Sequence, residues 1–191
     1  MTSAVHLDPR TYPGTYKLIG GAAALDFANL VSYRGTEREH DWLDPASNAR
    51  RWAEAAGLPT TPGATAAELC TLRELLARVF LAVVDGRTPG AADVGQLGRL
   101  ATGEPRRLRF PAGAVAAAWI DERPSLLGRV AADAAALLTS ADRLGRLGAC
   151  AECRWLFLDT TRNGSRRWCD PADCGNRARQ RRHYQRGRGE V

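Results

Sequence analysis

At 191 residues, 45% of them hydrophobic, the chain is long enough for one medium domain, or a domain with a small appendage, and can build a core, which excludes a wholly disordered protein. No window approaches 18 uninterrupted apolar residues, so a membrane-spanning helix is not expected. The formal charge of +6 belongs to one end: residues 1–145 hold sixteen basic and sixteen acidic side chains, and residues 146–191 hold eleven arginines against five acids.

The opening stretch MTSAVHLDPRTYPG has no basic region followed by an apolar run, so no secretory signal is expected and the cytoplasm is the expected compartment. Residues 1–17 show little periodicity and read as an arm. Leu18 to Gly35 offers a Gly-Gly turn and a short helix ending near Gly35. Next, LDPASNARRWAEAAGL predicts a helix with Asp44 as cap, Pro45 at the first helical position and Gly57 as stop. In TAAELCTLRELLARVFLAVVDG, Thr65 and Glu68 have capping-box spacing. Leu69, Leu72, Leu76, Val79, Phe80 and Val83 form one apolar stripe, Cys70 lies beside it as a packing residue, and Gly86 ends the helix. A weaker helix over TPGAADVGQLGRLATG follows, then a small hairpin from RRLRF and AVAAAWI, then a helix over PSLLGRVAADAAALLTS. The first 145 residues thus predict a mainly helical domain with a small antiparallel sheet, and residues 146–191 a second module that, with no long linker between them, packs closely against it.

That module carries Cys150-x2-Cys153-x15-Cys169-x4-Cys174. Two close pairs separated by room for a hairpin have the spacing of a structural zinc site. RWLFLD (Arg154 to Asp159) is strand-like, Asn163-Gly164 is a two-residue turn signal, and SRRWC leads back toward the first pair. Cys174 then opens a helix over GNRARQRRHYQR, where the helix N-terminus also favours a thiolate. Knuckle, hairpin and helix make a treble-clef-like order, and the chain as a whole is α+β. One structural Zn²⁺ on four thiolates is the expected cofactor; two disulfides, free thiols or an iron–sulfur cluster are the competing readings.

After Cys174 come Arg177, Arg179, Arg181, Arg182, Arg186 and Arg188, with Arg166 and Arg167 just upstream. On a helix, Arg177, Arg181 and Tyr184 share one face and Arg179, Arg182 and Arg186 a neighbouring one. Arginine forks onto phosphate or guanine, and a major groove admits a helix, so these residues, with His183 as a phosphate contact, are the candidate nucleic-acid surface. Against this, a Zn(Cys)4 centre is formally −2 and nearby arginines can simply offset it. Trp155, Phe157 and Trp168 either stack bases or form the module's core.

The literal Cys174-Gly175-Asn176-Arg177, preceded by FLDTTRNGSRRWC, resembles the CGNR zinc-finger family, and LIGGAAALDFANL with the later RLGRLGAC junction resembles the ABATE domain that accompanies it. The resemblance covers nearly the whole chain and implies a bacterial transcription regulator whose four cysteines bind zinc and whose finger binds double-stranded DNA. Leu30 departs from it, standing where that motif more usually has threonine. In the first part, Asp26, Asn29, Arg34 and Asp41 either line a small-molecule effector pocket or cap and bridge neighbouring elements. The sequence shows no Gly-rich phosphate loop, nucleophile elbow or paired His/carboxylate motif, and its three histidines are scattered, so an enzyme is not expected. A homodimer is expected on the ground that one short helix reads few base pairs. RNA or ribosome binding, a zinc-thiolate redox switch and an acidic protein partner are the rival functions.

Overall fold

The computed structural model describes residues 4–60, 64–103 and 105–187; Arg188 lies outside them. The predicted arm is a built part of the fold. Strand β1 (Ala4–Val5) pairs antiparallel with β2 (Tyr16–Lys17), and Val5, Leu7 and Tyr16 are buried. Two side chains secure it. The Asn48 amide accepts from Asp8 N at 2.8 Å and donates to Asp8 O at 2.9 Å. The Tyr16 hydroxyl donates to the Asp26 carbonyl and accepts from Trp52 Nε1 at 3.2 Å. Strands of two residues leave no period to read, which is why the sequence predicts no structure there.

Helix α1 (Ala23–Ala28) stops well short of Gly35, because β3 (Val31–Ser32) and β4 (His40–Asp41) pair as a second small hairpin. Helix α2 (Ser47–Ala55) starts with Ala46 as N-cap, later than the Asp44-Pro45 signal predicts, and Asp44 pairs with Arg10 at 3.3 Å instead. Its stop is as predicted: Gly57 has φ 66°, and Leu58 N donates to Ala53 O at 2.9 Å. Helix α3 (Ala66–Val84) begins on the full capping box: Glu68 N donates to Thr65 Oγ1 at 3.2 Å and Thr65 N to Glu68 Oε2 at 2.7 Å. The predicted stripe faces inward, except that Val83 is only half-buried.

Helix α4 (Ala91–Thr102) buries Leu97 alone. The hairpin of β5 (Arg106–Arg109) and β6 (Ala118–Asp121) forms in the register Leu108↔Trp119. Helix α5 (Leu126–Leu138) is capped by Ser125, whose Oγ accepts from Gly128 N at 3.0 Å. After the short α6 (Ala141–Leu144) come β7 (Leu147–Ala149), β8 (Leu156–Leu158) and α7 (Cys174–Gly187). Helices α1, α3 and α5 surround one apolar core, and this core runs without a break from Val5 to Cys174, taking in Trp155, Leu156 and Phe157 of the last quarter. Among the described residues no helix is long and apolar enough to cross a membrane.

Candidate metal centre and nucleic-acid interface

Strands β7 and β8 pair antiparallel and hold the knuckle between them. Cys150 N donates to Trp155 O at 2.8 Å and Arg154 N to Cys150 O at 3.0 Å, closing a tight turn in which Arg154 takes φ 62°. The finger's hairpin is therefore β7 with β8, rather than Arg154–Asp159 with Ser165–Cys169. Asn163-Gly164 does turn, with Gly164 at φ 60°, but no strand follows. The reason is Asp159, whose carboxylate takes Thr161 N at 2.8 Å and Arg166 N at 2.7 Å, leaving those donors unable to join a ladder. The chain still returns as predicted, since Ala151 N donates to Arg167 O at 3.1 Å and sets Cys169 beside the knuckle. Cys174 begins α7.

All four sulfurs are buried and lie within 4.8 Å of one another. Cys153–Cys169 and Cys169–Cys174 are each 3.5 Å apart. A disulfide needs about 2.05 Å, which rules out that pairing. A tetrahedron around zinc, with Zn–S about 2.3 Å, has edges of about 3.8 Å, and these four positions fit it. Crowding sets the sulfurs against each other: neighbouring sulfurs hold the Cys150 thiol far below its ordinary range and push Cys153 and Cys169 far above it. Unaided, four sulfurs this close cannot all stay ionised, and a bound dication would supply the charge that holds them as thiolates. The four cysteines would hold one structural zinc ion, with no coordination position left open for a substrate.

The finger is bound to the rest of the chain through backbone groups. Asn29 Nδ2 donates to Leu156 O at 2.9 Å, and Leu156 N donates to Asn29 Oδ1 at 2.7 Å, so one buried amide completes the edge of β8. Trp155 Nε1 donates to Val31 O at 3.0 Å, and Leu158 N to Gly20 O at 2.8 Å. Gly20 has no room for a side chain: a Cβ there would meet Leu25 Cβ at 2.9 Å and Asp26 Oδ1 at 3.0 Å. Arg166 spends its guanidinium on four carbonyls, donating to Leu158 (3.2 Å), Trp168 (3.1 Å), Cys169 (2.6 Å) and, across the junction, Ile19 (3.1 Å). Its plane also lies over the Phe157 ring at 4.2 Å. Arg166 is thus a brace, with little left for phosphate.

Asp26, Asn29 and Arg34 do not come together around a pocket. Asp26 Oδ1 accepts from Ile19 N (2.9 Å) and Gly20 N (2.8 Å), Asn29 bridges to β8, and Arg34 pairs with Glu74 while donating to Ala28 O at 3.1 Å. Asp41 pairs with the buried Arg73, which the sequence analysis did not single out. Leu30 is fully buried, with its N–H donating to Phe27 O at 3.1 Å and its carbonyl accepting from Trp42 N at 2.9 Å.

Burial pushes the Asp26 carboxyl up to about 6, outweighing the two backbone donors and Arg166. A folded-state value above the unfolded one means the folded chain holds this proton more tightly. Its contribution is therefore greatest below about pH 4 and is lost as pH rises through about 6. Asp26→Asn removes that loss. Its stability relative to the parent, from urea unfolding of the zinc-loaded chain, should rise by about 1 kcal/mol between pH 5 and 7.5. A gap independent of pH would contradict the assignment.

Along α7, Cys174, Gly175 and Ala178 are buried and Arg177 is half-buried. Arg177 pairs with Asp173 at 2.8 Å and approaches Cys174 Sγ at 3.8 Å. Arg179 donates to Pro171 O at 3.2 Å, and Arg181 pairs with Glu152 of the knuckle. Arg167 is exposed, its guanidinium 5.8 Å from the Trp168 ring centre. Arg182 and Arg186 make no hydrogen bond or ion pair with the described residues, and His183 and Tyr184 are exposed beside them. Every residue from 179 to 186 is exposed, so the last turns of α7 project from the body. Trp155 and Phe157 are buried and Trp168 half-buried, which makes them core of the finger.

Comparison with known proteins follows this division of labour. No curated protein matches the chain. The profile described as CGNR zinc finger matches residues 146–187. The ABATE profile, described as "Putative stress-induced transcription regulator", matches residues 21–141. With most of its length in that second match and its four clustered cysteines in the first, the chain belongs to the ABATE family and carries a CGNR zinc finger at its C-terminal end.

Proposed function

We propose that the chain is a cytoplasmic transcription regulator that binds double-stranded DNA through the projecting end of α7, and that it is not an enzyme. The observation that carries this reading is the uninterrupted exposure of residues 179–186, four of them arginine, on a helix whose base is fixed to a closed four-sulfur site. A helix polar on all sides gains nothing from packing on its own protein. Eight residues extend about 12 Å, the width of a B-DNA major groove. Arg182 and Arg186 are the leading phosphate contacts, with Arg167, Arg179, His183 and Tyr184 in supporting positions. Arg177 and Arg181 lie nearer the base of the helix. Such a helix covers few base pairs, so two copies acting as a pair, and a small-molecule effector governing them, belong to the same reading.

The test is duplex binding measured across salt concentrations. The parent should lose log affinity linearly with log salt, and the Arg182→Ala/Arg186→Ala variant should flatten the slope by about 2 without lowering the melting temperature. Competition with structured RNA separates the two nucleic acids. Salt-insensitive binding, or none at low salt, would overturn the proposal.

A further inference from the structure

Among the described residues seven large apolar side chains are exposed, and five of them, Leu108, Phe110, Val115, Trp119 and Ile120, sit on the hairpin of β5 and β6. Trp119 is 63% exposed and Val115 wholly so. A gathering of this kind marks a contact surface. The sheet is also too small to stand alone. Among the described residues β5 and β6 pair only with each other, and a lone two-stranded hairpin is marginal in water. The backbone shows where a further strand fits. Glu122 N donates to Pro105 O at 2.9 Å, in register with Arg107↔Ile120 and Arg109↔Ala118. Antiparallel ladders alternate, so residues 107, 109, 118 and 120 turn their peptide groups inward, while Leu108 and Trp119 turn theirs to the open edges.

The two edges differ in what they accept. Three of the four residues of β5 are arginine. A second β5 aligned antiparallel on Leu108 would set Arg107 against Arg109 twice, and like charges directly opposite destabilise a sheet. Residues 114–120 read AVAAAWI, without a charge. A second β6 aligned on Trp119 sets Trp119 against Trp119 at a twofold axis, Ala118 against Ile120, and Val115 against Arg123. No like charges meet, and the aromatic pair is favourable. A head-to-tail contact of β6 with β5 would instead leave a β6 edge open at one end. We propose that the chain pairs with a second copy of itself, edge to edge through β6, in a four-stranded sheet of order β5-β6-β6-β5. Only the arginine-bearing edges then lie outside, and such edges resist further pairing. Val115 of one copy comes beside the partner's Pro124, which with Gly57, Leu58 and Pro59 lines an open hollow next to Trp119 and Ile120. The contact is argued from the hairpin alone and is measured without nucleic acid, so it stands or falls apart from DNA binding by α7.

The experiment is sedimentation velocity on the zinc-loaded full chain from about 1 to 100 µM. The parent should pass from the 20.7 kDa monomer to a species of twice that mass as concentration rises. Trp119→Lys, which sets two ammonium groups at the axis, should weaken dimerisation by about tenfold or more. Val115 is wholly exposed, so Val115→Lys should keep the melting temperature of the monomer, which separates a lost contact from a lost fold. Facing the partner's Arg123, that lysine should weaken the dimer, and Val115→Glu should hold it more tightly than Val115→Lys does. A parent that stays monomeric at about 100 µM overturns the proposal, and if that monomer sediments with phosphatidylglycerol vesicles the hairpin belongs to a lipid surface instead. A dimer that both lysine variants leave intact also overturns it, by placing the contact elsewhere. Equal dimerisation of Val115→Lys and Val115→Glu would overturn the assigned register.

Discussion

Chelating the zinc, or replacing Cys169 by serine, should lower the melting temperature of the entire chain by more than about 10 °C in a single cooperative step. If the finger were a bead on a string, only its own signals would melt. The structure argues otherwise, because Cys150, Cys153, Cys169 and Cys174 belong to the same buried cluster as Phe27, Trp52 and Phe80. Losing the metal leaves four crowded sulfurs that cannot all stay ionised where one bonded centre stood, and β8 loses the knuckle that holds it in place. The hydrogen bonds that β8 shares with Asn29, Val31 and Gly20 then weaken together. Scanning calorimetry with near-ultraviolet circular dichroism reads the outcome. Two separate transitions, the upper one unmoved by chelator, would contradict it.

The second large effect belongs to Asn29→Ala. The substitution strips partners from both the N–H and the C=O of Leu156, which is 2% exposed. Each unsatisfied buried backbone group costs about 1–3 kcal/mol, so a loss of about 2–4 kcal/mol in urea unfolding is expected, with zinc still bound. Asn29→Asp should be no milder. Its carboxylate can still accept from Leu156 N–H but turns a second acceptor toward the Leu156 carbonyl. A loss under about 1 kcal/mol would mean that the amide does not join finger to body.

These two effects also mark what the sequence can and cannot show. Metal ligands in a knuckle must be close along the chain, so Cys150-x2-Cys153 and Cys169-x4-Cys174 announce the centre directly. Caps are equally local, and Thr65 with Glu68 and Gly57 act where their spacing puts them. Asn29 is different: it looks like a polar residue at a helix end, and its partner lies 127 positions away. Arg166 likewise reads as one more positive charge until Ile19 is seen beside it. The hairpin was misplaced for a related reason. Asn163-Gly164 announces a turn correctly, but it carries no information about Asp159 taking the donors that a strand would need. The cavity of about 220 Å³ between the finger and the rest of the chain has no periodic signature at all, since Tyr12, Tyr33 and Arg177 meet there from three distant stretches.

Helix α7 is held only at its root, where Cys174, Gly175 and Ala178 are buried, while residues 179–186 stand clear. Geometry makes such a helix a lever. A tilt of about ten degrees at the root carries a tip about 12 Å away through about 2 Å, a large part of the length of a hydrogen bond. Cys174 and Arg177, which form the fulcrum, are also walls of the cavity between the finger and the rest of the chain. Small displacements among Tyr12, Tyr33 and Arg177 are thus magnified at Arg182 and Arg186.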